Sequence, residues 1–423
     1  MLTAIRDPSF GRPEVTAPST YAVAPYRPRL SLDYLGQPQL GVSAQTGAYA
    51  RGGVYGGVGG IFSDVLGYHT VYGTIQAQGQ LDEIGGNVVY LNQKHRVNWS
   101  ASVARSPYIV GGYQQGFDQQ GNLHNQLVIY RYFDNSAYGI AQYPFSRAQR
   151  LEFAAGARRI TQDVKIQDWT YDPTGSALLD YTESKESLGE WNLAEATAAF
   201  VYDNAIDGYT SPMVGQRYRF EVAPTVGSLH FTSLTGDYRR YFLFRPLTLA
   251  FRGLHFGRYG RDEAVPSAVF LGYPYLIRGY GYGSVQNGCL EELGQSSNGG
   301  RECEIYQALF GSRIAVTNLE LRYPLMRNTL RGNVQLPPVE IFAFADAGAA
   351  WGKQRLNNGQ EISTSLQFTR GPGDSLDQRG FLTSGGVGAR INLFGYLIAE
   401  VNFVNAFDRP NGWHWQFSFQ PGF

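Results

Sequence analysis

Trp413-His414-Trp415-Gln416-Phe417-Ser418-Phe419-Gln420, running on to Pro421-Gly422-Phe423, alternates without a break. Trp413, Trp415, Phe417 and Phe419 share one face; His414, Gln416, Ser418 and Gln420 share the other. Side chains alternate across a strand, so this stretch is a β-strand with one apolar face. The same period lies upstream. Leu397, Ala399, Val401 and Phe403 stand against Glu400 and Asn402, and Leu319, Leu321 and Tyr323 against Glu320 and Arg322. Tyr218, Phe220 and Val222 stand against Arg219 and Glu221, and Leu151, Phe153 and Ala155 against Glu152 and Gly156.

Between such runs lie turns rich in Gly, Asn, Asp or Pro. The spacing predicts strand cores at 39–48, 53–63, 69–80, 85–92, 96–107, 125–145, 149–166, 190–203, 215–227, 230–245, 247–257, 312–325, 339–351, 383–393, 397–407 and 413–423. That is sixteen strands, an even number as closed bacterial barrels show. Residues 1–38 carry Pro8, Pro13, Pro18, Pro25, Pro28 and Pro38 with no sustained period, and are read as an N-terminal periplasmic tail or linker. Residues 39–423 are read as one domain.

Composition bounds the function. The chain has 423 residues, with 35 Lys plus Arg against 35 Asp plus Glu and no basic block, which argues against nucleic acid as the main partner. Aromatics are 14% of residues and charged residues only 17%, which is unlike a disordered chain. No apolar run reaches the 18 residues of a transmembrane helix. Residues 1–12 show no apolar leader core. Lys occurs only at Lys94, Lys165, Lys185 and Lys353, and the other basic residues are Arg. In a soluble sandwich the polar face would meet water. In an outer-membrane barrel the apolar face meets lipid and the polar face lines a lumen. Arg and Glu recurring on the polar face, aromatics near strand ends and unequal loops favour the barrel, an all-β, sixteen-stranded antiparallel transmembrane fold.

One long interval, 258–311, separates the eleventh and twelfth strands and contains Phe270-Leu271-Gly272-Tyr273-Pro274-Tyr275-Leu276-Ile277-Arg278-Gly279-Tyr280. It resembles the (V/I/L)RG(F/Y) loop of the BamA/TamA superfamily, the bacterial surface antigen barrels. Asn318-Leu319-Glu320-Leu321-Arg322-Tyr323-Pro324-Leu325, Phe344-Ala345-Asp346-Ala347-Gly348 and Gly386-Val387-Gly388-Ala389-Arg390 are similar to the family's following strands. The end at Phe423 is similar to its terminal β-signal, read by the barrel-assembly machinery. The resemblance covers about 39–423. It implies a sixteen-stranded barrel with this loop folded into the lumen between strands eleven and twelve, in the bacterial outer membrane. Family members that assemble or secrete proteins carry POTRA domains ahead of the barrel, and 1–38 has no such pattern. Either the chain comes from a longer protein or this member lacks those domains; the missing leader favours the first.

Carried over by position, the resemblance makes Arg278 the lumen-binding residue, with Asp346 its first partner and Glu320 the second. A guanidinium in a crowded lumen needs a carboxylate, since losing one partner of a buried pair costs about 3–5 kcal/mol. A bidentate pair also fixes a long loop's orientation. Gly279 allows close backbone approach and Tyr280 packs on the wall. On the Asp346 strand, Phe342 and Phe344 share the inner face while Ala343, Ala345 and Ala347 point outward. The barrel seam joins the strand at 39–48 to that of Trp413, Trp415, Phe417, Phe419 and Phe423, and in insertase relatives it opens for a client strand.

Cys289 and Cys303 flank a loop of 13 residues, 290–302. In an oxidising compartment they read as a disulfide worth roughly 3 kcal/mol on chain-entropy grounds, two free thiols being the alternative. No GxSxG, HExxH or Walker loop occurs, so no enzyme and no cofactor are expected. The six His are scattered without metal spacing, and a Ca²⁺ site among Asp118, Asp134, Asp203 and Asp207 has no further support. Expected partners are outer-membrane lipid and lipopolysaccharide and a client or partner protein, around a monomeric barrel or one in a hetero-complex. The implied function is insertion or translocation of protein or lipid at the outer membrane, or anchoring of a periplasmic or surface partner. A passive porin-like channel and a structural or adhesive surface antigen remain open beside it; an outer-membrane hydrolase is more distant.

Overall fold

The structure, a computed structural model, describes residues 25–36, 39–43, 53–79, 83–266, 268–281, 301–326, 330–331, 334–335, 337–355, 361–371, 378–393, 397–409 and 412–419. Alternation becomes an antiparallel ladder. Its strands are β1 (Ser31–Leu35), β2 (Gln39–Ser43), β3 (Gly53–Ser63), β4 (His69–Gly79), β5 (Ile84–Asn92), β6 (Asn98–Phe117), β7 (Leu123–Pro144), β8 (Gln149–Tyr171) and β9 (Leu178–Asp203). They continue as β10 (Pro212–Gly227), β11 (Phe231–Phe244), β12 (Leu247–Tyr259), β13 (Arg313–Met326), β14 (Val339–Arg355), β15 (Gln378–Leu393), β16 (Leu397–Ala406) and β17 (Trp413–Ser418). With two flaps, Ile206–Asp207 and Glu361–Arg370, they form a nineteen-stranded sheet. Both β1 and β2 pair with β3, and from there each strand pairs with the next as far as β17. Among the described residues no ladder joins β1 or β2 to β17.

Two expectations change. The first edge begins earlier than read: β1 lies inside the stretch 1–38 read as a tail and runs in line with β2 along one edge of β3, so the described ladder has seventeen segments. Five residues followed closely by a proline are too short to show a period. The second change concerns the hairpins of β6 to β9, which run for 20, 22, 23 and 26 residues: β7 matches its predicted core at 125–145, but β6, β8 and β9 extend into stretches read as loops at 108–124 and 167–189. Only about 9–11 residues cross a bilayer. β5 pairs with β6 only from Trp99 to Arg105, and β10 pairs with β9 only from Leu193 to Asp203. Beyond those levels the four strands continue alone, as a sheet standing past one rim. The outer parts of β6 and β9 are rich in Gly and Gln or in charge, so no apolar face announces them, whereas β7 buries Leu127, Ile129 and Phe133 there. At the tip, the backbone N–H of Ala177, the Thr174 hydroxyl and the backbone N–H of Ser176 all donate to the Asp172 carboxylate. They hold its pKa down at about 2.

The antiparallel order puts the intervals 118–122, 172–177 and 260–266 at this upper rim. It puts 64–68, 145–148, 204–211 and 245–246 at the lower rim. Outside lie Phe153, Phe220, Leu319, Leu321, Ile341, Val387, Trp415 and Phe417, all exposed on the bare chain as lipid-facing residues would be. Inside, the apolar core is one-sided. Phe270, Leu271, Leu276, Ile277 and Tyr280 of the long loop, with Ile305 and Leu309 of helix α1 (Arg301–Ala308) and its exit, pack on Ile314, Val316, Leu382 and Ala406 of β13 to β16.

Candidate functional site

The long loop is held against the inner wall by its backbone as well as its side chains. Leu271 N–H donates to Leu309 O at 2.8 Å, tying the loop to the exit of α1. Arg252 on β12 donates to Tyr275 O at 2.8 Å, and Asn318 on β13 donates to Leu276 O at 2.9 Å. Tight turns at 273–277 then present Arg278 to the wall.

Arg278 is 3% exposed and meets both carboxylates named from the sequence. Nε lies 2.7 Å from Asp346 Oδ2, Nη2 2.7 Å from Asp346 Oδ1, and Nη1 2.6 Å from Glu320 Oε1. The Arg278 backbone N–H also points at Asp346 Oδ2, at 3.2 Å. The planar fork thus uses two edges, one on each acid, which a Lys ammonium has no geometry to do. The Phe344 ring lies 3.7 Å from the guanidinium carbon, a cation–π contact on its open face. Gly279 has φ of +89°, in the left-handed region where glycine is at ease, and an added Cβ would sit 3.1 Å from Val404 and Ala406. Its carbonyl accepts from Arg409 at 2.8 Å. Tyr280 is fully buried and its hydroxyl donates to Asp408 Oδ2 at 2.9 Å.

Sequence reasoning ranks Glu320 second, but geometrically it is the centre. Arg278 and Arg390 Nη2 (2.9 Å) meet its Oε1; Arg390 Nη1 (2.9 Å) and Arg322 Nε (2.8 Å) meet its Oε2. Arg390 also reaches Glu400 Oε2 at 2.6 Å and Glu340 Oε1 at 3.4 Å. Asn318 donates to Asp346 and Asn402 to Glu400. Three guanidiniums and four carboxylates therefore interlock in a dry space, each charge answered by hydrogen bonds, as buried charges require. The available signal is the placement of Arg322, Arg390 and Glu400 on the polar faces of their strands. Which of them converge depends on how the wall curves, and alternation carries no curvature.

The glycines of β15 make room for this cluster. A Cβ on Gly388 would lie 2.5 Å from Phe342 Cζ and would also press on Asn402; one on Gly386 would lie 2.9 Å from Phe344 Cζ. Phe342 in turn stacks 4.1 Å from Arg390. Gly388→Ala is therefore expected to destabilise the fold by about 1–3 kcal/mol through overpacking. The urea midpoint of the folded protein measures this, and an unchanged midpoint would show that the wall yields there.

The other half of the lumen differs. Arg158 pairs with Asp134 at 2.5 Å, Arg219 with Glu152 at 2.6 Å and Arg217 with Asp203 at 2.8 Å. These arginine side chains are 36–40% exposed, against 0–4% for the three around Glu320. Arg158, Arg217 and Arg219 are thus half-exposed, whereas the arginines around Glu320 are covered, although Arg131 on β7 is buried as well.

Of the seam residues, Trp413, Trp415 and Phe417 project outward from β17 and Phe419 follows it, exposed. Phe423 lies outside the described residues. So does Cys289, and of Cys303 only its place in α1 is described, so their pairing lies outside them too. His124 sits near the tip of the projecting sheet, its Nδ1 2.8 Å from Asp168 Oδ2 and its Nε2 3.5 Å from Asp118.

With this geometry in view, comparison with known proteins finds the Omp85 superfamily domain over residues 90–420. No curated protein matches. Among solved structures the chain is similar to BamA from Haemophilus ducreyi lacking POTRA domains 1–3. That match has 13% identity and a TM-score of 0.42, covering 92% of this chain and 74% of that one. It is also similar to CdiB from Acinetobacter baumannii, at 12% identity and a TM-score of 0.44, covering 92% of this chain and 58% of that one. The chain thus spans less than two thirds of CdiB's length.

Proposed function

The chain belongs to the Omp85 superfamily, and on that premise we propose that it inserts or translocates protein or lipid at the bacterial outer membrane. In this reading the ladder closes as a transmembrane barrel of sixteen strand positions, β1 and β2 sharing the first. The upper rim faces outward and the lower rim faces the periplasm, where 25–30 lead into β1. The loop carrying Arg278 is the inward-folded element between the eleventh and twelfth positions.

The observation that carries the reading is the Arg278 clamp. A loop fastened inside a barrel by buried charges obstructs a fixed pore, so the arrangement suits a protein that moves its cargo on demand. A passive channel would have little use for it. An adhesive surface antigen is favoured by one feature, the projecting sheet of β6 to β9, which stands where a surface partner would meet it.

Two measurements separate these, one on the purified chain in vesicles and one in cells. Single-channel recording is expected to show small, flickering conductance; a large steady conductance would make the protein a porin. Photo-crosslinking from positions 39–48 and 413–419 in cells is expected to capture an unfolded or nascent client. Capture of a stable partner on the projecting sheet alone, with nothing at the seam, would move the anchor reading ahead.

A further inference from the structure

The lower rim has its own inward element. The turn 204–211 joins adjacent strands β9 and β10, and a plain hairpin turn would stay beside them. Instead Thr210 and Ser211 are buried, and the Ser211 hydroxyl lies 2.9 Å from both carboxylate oxygens of Glu340 on β14. Tyr209 O accepts from Asn392 on β15 at 2.5 Å, and Pro212 O accepts from Arg322 on β13 at 3.0 Å. From β10 to β14 is four ladder steps, about 19 Å around the wall at roughly 4.8 Å per step. Ser and Glu side chains do not bridge that, so the turn has left the wall and crosses the lower mouth of the lumen. A cavity of about 500 Å³ lies between it and the rim, lined in part by Gly208, Met213, Pro246, Pro324 and Pro338.

We propose that 204–211 is a strap that latches shut the lower mouth through Ser211 and Glu340, and that its latch is coupled to the Arg278 clamp. The coupling is physical. Glu340 touches Arg390, Arg390 holds Glu320, and Glu320 holds Arg278. One hydrogen-bonded chain therefore runs from a turn of the lower rim to a loop of the upper rim. Freeing the strap lets Glu340 turn toward Arg390 and draws that guanidinium from Glu320; loosening the loop does the reverse. By linkage the effect is reciprocal. The inference rests on the barrel reading above and extends it, giving the lumen two obstructions that open together.

The test labels a cysteine placed at buried Thr210 (Thr210→Cys) with a bulky maleimide, in the 423-residue chain carrying Cys289→Ser and Cys303→Ser and inserted in lipid vesicles. Comparison variants add Ser211→Ala or Arg278→Lys, the latter keeping the charge while losing the fork. Labelling follows the open population, and a hydrogen bond to a charged group is worth enough for Ser211→Ala to raise the rate roughly tenfold or more. Arg278→Lys is expected to raise it severalfold from the opposite rim. Unchanged labelling in Ser211→Ala overturns the latch, and a rise there with none in Arg278→Lys overturns the coupling. A heat-modifiable gel shift, required of each variant, shows that it is folded. If the parent never inserts or never shows that shift, the barrel reading fails instead, so the two failures are told apart.

Discussion

Arg278→Glu is expected to remove most of the heat-resistant folded protein seen on semi-native gels, the largest loss of any single change at the clamp. It places a third carboxylate against Asp346 and Glu320, in a space where both acids are buried and already depend on that guanidinium. Breaking such a pair from one side costs about 3–5 kcal/mol, a large share of a typical protein's stability. Asp346→Arg is expected to be milder, because the new cation lies near Glu320 and Asn318 still has Leu276 O. The double variant restores opposite signs between 278 and 346 while leaving the new carboxylate at 278 facing Glu320, so it recovers part of the folded band. If all three behave like the parent, the loop is not held inside the wall, and the open-channel and surface-anchor readings move ahead.

Glu320→Ala is the second large effect. Removing this carboxylate deprives Arg278, Arg322 and Arg390 of a shared partner and leaves three buried cations facing one another. The loss is expected to approach that of Arg278→Glu, about 3–5 kcal/mol. Glu400→Ala, which takes a partner from Arg390 and Asn402 only, should lose clearly less. Chemical unfolding of both variants in one detergent gives the comparison, and equal losses would show that no single acid is central.

These two predictions mark how far the sequence can be read. Strands such as β13, β16 and β17 are legible because one face is lipid and the other lumen, so period-two alternation is strong. β1 is not, being five residues beside a proline. The projecting parts of β6 and β9 are not, because Gly, Gln and charged residues give them no apolar side, whereas β7 reads as a strand over nearly its whole length. Arg278, Asp346 and Glu320 stand out through a motif whose spacing ties a loop to two strands. Arg322, Arg390, Glu340 and Glu400 are visible only as polar-face residues. Their convergence on Glu320 is a property of the closed-in wall, as is the reach of Ser211 to Glu340, 129 residues away.

The clamp also bears on the order in which the chain is built. Every residue that holds Arg278, and every one that holds Glu320, lies between 278 and 390, whereas β3 to β9 contribute none. The first half of the ladder grows by hairpins between neighbours and closes only short loops. The ionic cluster needs β13, β14 and β15 all in register before one guanidinium is worth burying, with contacts 42, 68 and 70 residues apart. Such non-local contacts form late. Assembly should thus pause as an open sheet with its loop still in water, and commit only when the last strands dock. Variants that weaken the clamp would then accumulate as that half-built sheet and be cleared by proteases before they ever present as a leaky membrane.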